Sequence, residues 1–239
     1  MKNLKDSLSE SVLNNIETTL DASNTNTSFK HLIKDFIKSN YSIAKGIKIS
    51  KTPNANGKYM VDANILQAKK NITKLTNDAF EFNEVNYFSC SSTAITDLND
   101  TPRKVKVLRC SGCNNITSLD GLGEVSELSC SSCKNLKSLE GCPSTVYALN
   151  CSSNAFHSLK GCPNKLKWLN ISQCTFDGKY DGTPTEIDEL VSLYMDTWVD
   201  IYQSDELTPT GKFTSQLHKK CKINKMAATA WDNPYMKMQ

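Results

Sequence analysis

The sequence predicts an α+β fold, in which a short β-solenoid carries a helical cap at each end. A short apolar pattern recurs five times in the middle of the chain, with steps of 20, 20, 21 and 20 residues. A period of that length is typical of solenoids. The segments on either side lack the pattern and show helical periodicity instead. The five copies begin at Val85, Val105, Val125, Val146 and Leu166.

Residues 1–26 are predicted to form an amphipathic helix followed by a flexible link. Ser7 and Glu10 have the spacing of a capping box, and apolar residues then recur at helical intervals as far as Leu20. The polar stretch that follows has no apolar anchor. We therefore expect this segment to be separate from the solenoid.

Residues 27–64 are predicted to form the amino-terminal cap. Apolar residues from Phe29 to Ile37 trace an amphipathic helix. Alternating apolar residues then flank an Asn56-Gly57 pair, which is a strong signal for a β-hairpin turn. The solenoid itself is predicted for residues 65–184, and its first part is a degenerate half-repeat.

Residues 185–239 are predicted to form a helical cap with a basic tail. Thr185 precedes an acidic first turn, and apolar residues from Ile187 to Tyr202 form one broad stripe. A second helical segment is predicted around Cys221. From Leu207 onwards there are six lysines and one aspartate.

Within each copy, two apolar residues, a cysteine and a small or polar residue recur at fixed spacing. Val85, Phe88, Cys90, Thr93 and Ile95 show this in the first copy. The pattern resembles the leucine-rich repeat. The recurring Ser-Leu-x-Gly-Cys-Pro phrase is similar to divergent, cysteine-rich repeats of bacterial and large tailed-phage proteins. The resemblance covers roughly residues 65–184 and implies that the recurring positions point inward and stack turn upon turn.

The positions between the recurring residues are expected to point outward from the strands. Large aromatic side chains beside small polar ones are typical of binding hot spots. The sequence therefore predicts a non-enzymatic protein–protein interaction module that presents this strand face to a protein partner of unknown identity. The predicted contact residues are Tyr87, Arg109, Glu127, Asn150, Trp168 and Asn170.

Four cysteines have the C-x2-C-x16-C-x2-C spacing of a structural zinc site: Cys110, Cys113, Cys130 and Cys133. The equivalent positions in the other copies include threonine, asparagine and isoleucine. Positions that accept these residues indicate packing, so we expect reduced core thiols and no cofactor, with a zinc site or redox disulfides as the alternatives. No phosphate-binding loop, zinc-protease motif or nucleophile elbow is present, and no catalytic residue is predicted.

Two alternative functions remain open from the sequence. The chain could be a virion-associated or bacterial structural component that docks into a larger assembly through its helical ends. It could also bind nucleic acid through its basic tail, although most charge runs are only a solvated face. The lysines concerned are Lys219, Lys220, Lys222 and Lys225.

No membrane association or secretion is predicted, because the chain has no run of 18 apolar residues and no hydrophobic leader. Without a leader, its ten cysteines indicate a reducing compartment. We therefore predict a cytoplasmic location, or the host cytoplasm or virion if the protein is phage-encoded.

Overall fold

A computed structural model describes residues 27–156, 158–176, 181–191 and 221–226. In these residues the repeats wind into a β-solenoid, with one helix, α1, at the amino-terminal end. The described structure is mostly β, so the predicted α+β class is wrong. The elements are α1 Thr27–Asn40, β1 Tyr41–Lys45, β2 Lys48–Ile49, β3 Tyr59–Ala68, β4 Phe80–Ser89, β5 Lys104–Arg109, β6 Glu124–Ser129, β7 Ala148–Asn150, β8 Ala155–Phe156, β9 Lys165–Asn170, β10 Thr175–Phe176, β11 Glu186–Val191 and β12 Lys222–Met226.

Each repeat copy contributes one strand to a single ten-stranded sheet. The strand order is β1-β3-β4-β5-β6-β7-β9-β11-β12, with β2 also paired to β3. From β3 onwards neighbouring strands are parallel. Because the repeat step is nearly constant, equivalent residues pair across turns, as Leu108 does with Leu128 and Leu149 with Leu169. A second, two-stranded parallel sheet joins β8 to β10.

The recurring apolar residues form the core, because each one stacks on its equivalent in the next turn. All of them are buried, which confirms the inward orientation that the repeat pattern predicts. The first such column is Val85, Val105, Val125, Val146, Leu166 and Ile187. The second is Phe88, Leu108, Leu128, Leu149, Leu169 and Leu190.

The amino-terminal end of these columns is covered by α1 and the hairpin. Ile33 and Ile37 of α1 are fully buried, and the ring of Phe36 packs edge-on against Phe80 at 5.6 Å. The predicted hairpin forms, with β2 antiparallel to β3. Amphipathic periodicity therefore located the helix correctly. In the described residues, α1 included, no helix has the length and apolarity needed to cross a bilayer.

The predicted carboxyl-terminal helix is wrong where the structure describes it. Residues 186–191 form strand β11, parallel to β9, and residues 222–226 form strand β12 beside it. Ile187 and Leu190 are three residues apart, a spacing that fits one face of a helix but also matches the first two apolar positions of the repeat. Pairing with β9 and full burial of both side chains favour the strand. The rest of that prediction, and the helix in residues 1–26, lie outside the described residues.

Residues 181–191 thus extend the repeat by a copy that the sequence analysis missed. Ile187 stands 21 residues after Leu166, and Gly182 stands 21 residues after Gly161. Gly182 and Gly161 both have positive φ, as does Gly141. The recurring glycine was therefore a usable signal for the extra turn.

We expect Gly161→Ala to destabilise the protein by about 3 kcal/mol or more. Gly161 has a φ of +88°, and an added Cβ would lie 2.2 Å from the carbonyl oxygen of Leu139 in the preceding turn. Gly57→Ala is the matched control, because its φ is +75° but nothing lies within 4 Å of its added Cβ. It should cost only about 1 kcal/mol. Urea unfolding measures both, and equal costs would contradict close packing between turns.

Candidate functional site

The inner cysteine column, which we define as Cys90, Cys110, Cys130 and Cys151, lies in one row inside the solenoid. None of the four has any exposed surface. The backbone N–H of each donates to a carbonyl of the next turn, for example Cys90 to Arg109 at 2.9 Å and Cys130 to Asn150 at 2.8 Å. The Sγ of Cys110 lies 3.5 Å from the carbonyl oxygen of Ser129. The predicted inward-facing row of cysteines is confirmed.

A second column follows three residues later in each turn, and we call it the donor column. Its side chains donate hydrogen bonds to carbonyl oxygens of the inner cysteine column: the three cysteines donate to the preceding turn, Thr93 donates within its own turn, and Asn154 donates to both. The Sγ of Cys113 lies 3.0 Å from the oxygen of Cys90, and the Sγ of Cys133 lies 3.3 Å from that of Cys110. The donor column consists of Thr93, Cys113, Cys133, Asn154 and Cys174.

The donor column explains why threonine, cysteine and asparagine replace one another at this position. Asn154 Nδ2 donates to the carbonyl oxygen of Cys130 at 3.0 Å and to that of Cys151 at 2.8 Å. Thr93 Oγ1 donates to the carbonyl oxygen of Cys90 at 2.6 Å. All three residue types are small and carry a hydrogen-bond donor. The position therefore requires a donor that satisfies a buried carbonyl, in addition to the packing predicted from the sequence.

Burial keeps most of these sulfurs protonated. It raises the pKa of Cys110, Cys130 and Cys151 well above the usual thiol value, and it raises that of Cys133 to about 11. A hydrogen bond from Cys90 lowers the pKa of Cys113 to about 6. The Sγ of Cys113 nevertheless lies against the carbonyl oxygen of Cys90, a contact that needs a proton on the sulfur. The raised pKa values keep Cys110, Cys130 and Cys151 as thiols at neutral pH, which is the unreactive form of the side chain.

The four cysteines with zinc spacing divide between the two columns. Cys110 and Cys130 belong to the inner cysteine column, whereas Cys113 and Cys133 belong to the donor column. In the described part of the chain, no three cysteine, histidine, aspartate or glutamate side chains are grouped in a way that could hold a metal ion. Their burial and their hydrogen bonds to backbone carbonyls give these thiols a structural role.

Several side chains of the strand face are less exposed than the sequence predicts. Trp168, Glu127 and Asn170 occupy outward positions of the repeat, yet their exposed fractions are 1%, 5% and 3%. The expectation that these three are exposed to a partner is wrong. Tyr87, Arg109 and Asn150 keep part of their surface exposed. Of the six predicted contact residues, Tyr87, Arg109 and Asn150 are thus the accessible ones.

Two contacts organise the side chains of the strand face. The guanidinium of Arg109 lies over the ring of Tyr87, 5.6 Å from its centroid. The hydroxyl of Tyr147 donates to Oε1 of Glu127 at 2.9 Å. Burial raises the pKa of Glu127, although the bond from Tyr147 and the charges of Lys106 and Arg109 oppose this shift. Glu127 is therefore held as part of the structure and not presented to solvent.

Two open grooves run along the edges of the parallel sheet, and the sequence analysis predicted neither. The amino-edge groove, of about 410 Å³, lies where β5 and β6 begin and contains Glu84, Lys104 and Glu124. The carboxyl-edge groove, of about 550 Å³, lies beyond the ends of β3 to β6 and contains Lys70 and Lys134. Each groove brings together residues about 20 positions or more apart, so only the stacked turns reveal them.

The predicted basic tail is only partly described. Lys222 lies in β12 and forms an ion pair of 3.0 Å with Glu186. Lys225 lies in the same strand, opposite Glu189 of β11. Lys219 and Lys220 lie outside the described residues. The described lysines of this segment thus sit beside acidic residues of the neighbouring strand.

Comparison with known proteins identifies no relative: no family model, curated protein or solved structure matches the chain. No function can therefore be transferred to this chain from a known protein. What the protein does must be inferred from the surfaces that its fold leaves exposed.

We expect Cys133→Asn to change the free energy of unfolding by less than about 1 kcal/mol, because an asparagine at this position can donate as Asn154 does. Cys110→Asn should cost about 3 kcal/mol, because it places an amide in the inner column, where the neighbouring side chains are cysteines. Urea unfolding of the two variants tests this difference. If both variants lost equal stability, the two columns would not have distinct roles.

Proposed function

We propose that this protein is a non-enzymatic interaction module that binds a protein partner through the exposed part of its strand face. The contact surface is formed by Tyr87, Val107 and Arg109, with Asn150 at its margin. All four side chains are partly exposed: Tyr87 lies on β4, Val107 and Arg109 lie on the neighbouring strand β5, and Asn150 lies on β7, two strands further along the sheet. A rigid scaffold of this kind holds contact residues in place before a partner arrives, which lowers the entropic cost of binding.

The observation that carries this proposal is the stacked pair of Tyr87 and Arg109. Tyrosine and arginine are enriched among the residues that contribute most to binding at protein interfaces. Their cation–π contact restricts both side chains before binding, since the guanidinium lies 5.6 Å from the ring centroid. Val107 lies next to Tyr87 in register and adds apolar area.

The buried residues of the strand face support this surface from the side. Glu127 pairs with Val107 across β5 and β6, and its carboxylate is fixed by Tyr147. Trp168 lies on β9, two strands beyond β6, where its fully buried side chain stabilises the sheet. The proposed interface is therefore smaller than the one predicted from sequence, and it lies at the amino-terminal side of the sheet.

Tyr87→Ala should reduce capture of the partner about 30-fold, since truncating a hot-spot residue costs about 2 kcal/mol or more. The measurement is quantitative mass spectrometry of proteins captured from the native lysate by the full chain and by the variant. Phe29→Ala is the matched control, because Phe29 is an aromatic residue on α1 that is 41% exposed and does not belong to the proposed contact surface. It should capture the same proteins as the full chain.

Both variants should keep the melting temperature of the parent protein within a few degrees, which separates lost contact from lost folding. A partner retained equally by Tyr87→Ala and by the parent protein would reject the strand face as its binding surface.

A further inference from the structure

Charge is distributed unevenly over the chain, although the whole protein has a net charge of only +3. Residues 27–79 contain ten lysines, three aspartates and no glutamate. This excess of positive charge is carried by α1, the hairpin and the first turn of the solenoid. It lies at the opposite end of the chain from the lysine-rich tail singled out by the sequence.

The carboxyl-edge groove begins at this basic end and continues along the next three turns. Its charged lining residues are Lys70 and Lys134, and its polar lining includes Asn114 and Asn115. No carboxylate lines it. Both lysines are exposed, and neither forms an ion pair within the described residues. The groove therefore has a positive charge at each end and a neutral, polar lining between them.

The amino-edge groove provides an internal comparison. There, glutamate and lysine alternate from turn to turn, as Glu84, Lys104 and Glu124, and Lys104 pairs with Glu84 at 3.7 Å. Opposite charges at that edge satisfy one another. The two edges of the same sheet thus differ in charge balance while sharing the same backbone geometry.

Further lysines extend the basic end of the carboxyl-edge groove. Lys69 Nζ donates to the backbone oxygens of Lys38 and Ser39 at 3.1 and 2.8 Å, which fixes it at the carboxyl-terminal end of α1. Lys38 is exposed beside it. At the far end, Lys137 Nζ donates to the backbone oxygen of Lys134 at 2.9 Å. Lysines therefore lie at both ends of the groove.

We propose that the carboxyl-edge groove binds the phosphodiester backbone of a single-stranded nucleic acid. From Lys70 to Lys134 the groove crosses three turn-to-turn steps, about 14 Å at the usual strand spacing, which exceeds the distance between neighbouring phosphates. Lysines neutralise phosphates as point charges, and the asparagine side chains add polar contacts. No aromatic side chain lines the groove, so binding does not depend on base stacking or on base sequence.

A nucleic acid strand fits this groove better than other polyanions. An acidic protein surface would be expected to use apolar or aromatic anchors, and an anionic membrane would require exposed apolar side chains. Among the lining residues, only Ala94 is apolar. The groove and the Tyr87 surface share no residue, so the test of this inference is independent of the test of the proposed protein interaction.

The test is fluorescence anisotropy of labelled 20-nucleotide single-stranded DNA and RNA of mixed sequence, titrated with the full chain from about 50 to about 200 mM salt. The parent protein should bind both at the lowest salt, with affinity falling steeply as salt rises. Lys70→Gln combined with Lys134→Gln should weaken binding about tenfold and reduce the salt slope by about 1.4, since each phosphate contact contributes about 0.7 on single strands.

Lys104→Gln combined with Lys106→Gln is the matched control, because it removes the same charge from the amino edge. It should leave both affinity and salt slope within about twofold of the parent protein. No binding at 50 mM salt, or equal weakening by the two double variants, would overturn the proposal. Equally tight, groove-dependent binding of polyglutamate or of anionic vesicles would overturn it as well, because the groove would then recognise negative charge and not a nucleic acid strand.

Discussion

The fold depends on each turn of the solenoid satisfying the buried backbone groups of its neighbour. In a parallel sheet the main-chain N–H and carbonyl groups of one strand pair with the next, but the turns that follow the strands must also be paired when they are buried. Here the inner cysteine column continues the backbone pairing beyond the strand ends, and the donor column supplies side-chain donors to its carbonyls. Apolar packing and hydrogen bonding therefore occur in the same two columns.

Cysteine suits both columns for physical reasons. It is small enough to stack on itself at the strand spacing, it packs as a hydrophobe, and its thiol can donate a weak hydrogen bond. The one asparagine of the donor column, Asn154, makes three hydrogen bonds, including one from the backbone N–H of Cys133 to its Oδ1. A run of cysteines that resembles a zinc site in sequence is thus explained by the requirements of a narrow coil.

The inward columns could be predicted from the sequence because a constant step places equivalent residues on top of one another. The apolar spacing alone did not separate strand β11 from a helix, since Ile187 and Leu190 fit both periodicities; the recurring glycine at Gly161 and Gly182 was the sequence signal for a further turn, and pairing with β9 shows the strand. The burial of Trp168 could not be predicted from the sequence either. The repeat pattern predicts on which side of the sheet a side chain lies, but it does not predict which residues cover that side chain. Neither groove was visible in the sequence, because Lys70 and Lys134 are brought together only by three stacked turns.

The most direct test of the stacked columns is pulsed alkylation of the native protein with iodoacetamide, followed by mass spectrometry of each cysteine. The account predicts that Cys110 and Cys130, which have no exposed surface and raised pKa values, are labelled only as fast as the whole protein unfolds. Burial also raises the pKa of Cys142, to about 12, but its side chain is partly exposed, so it provides the internal reference for exposure and should react sooner. Labelling of Cys110 and Cys130 in the native state at the rate of Cys142 would contradict the account.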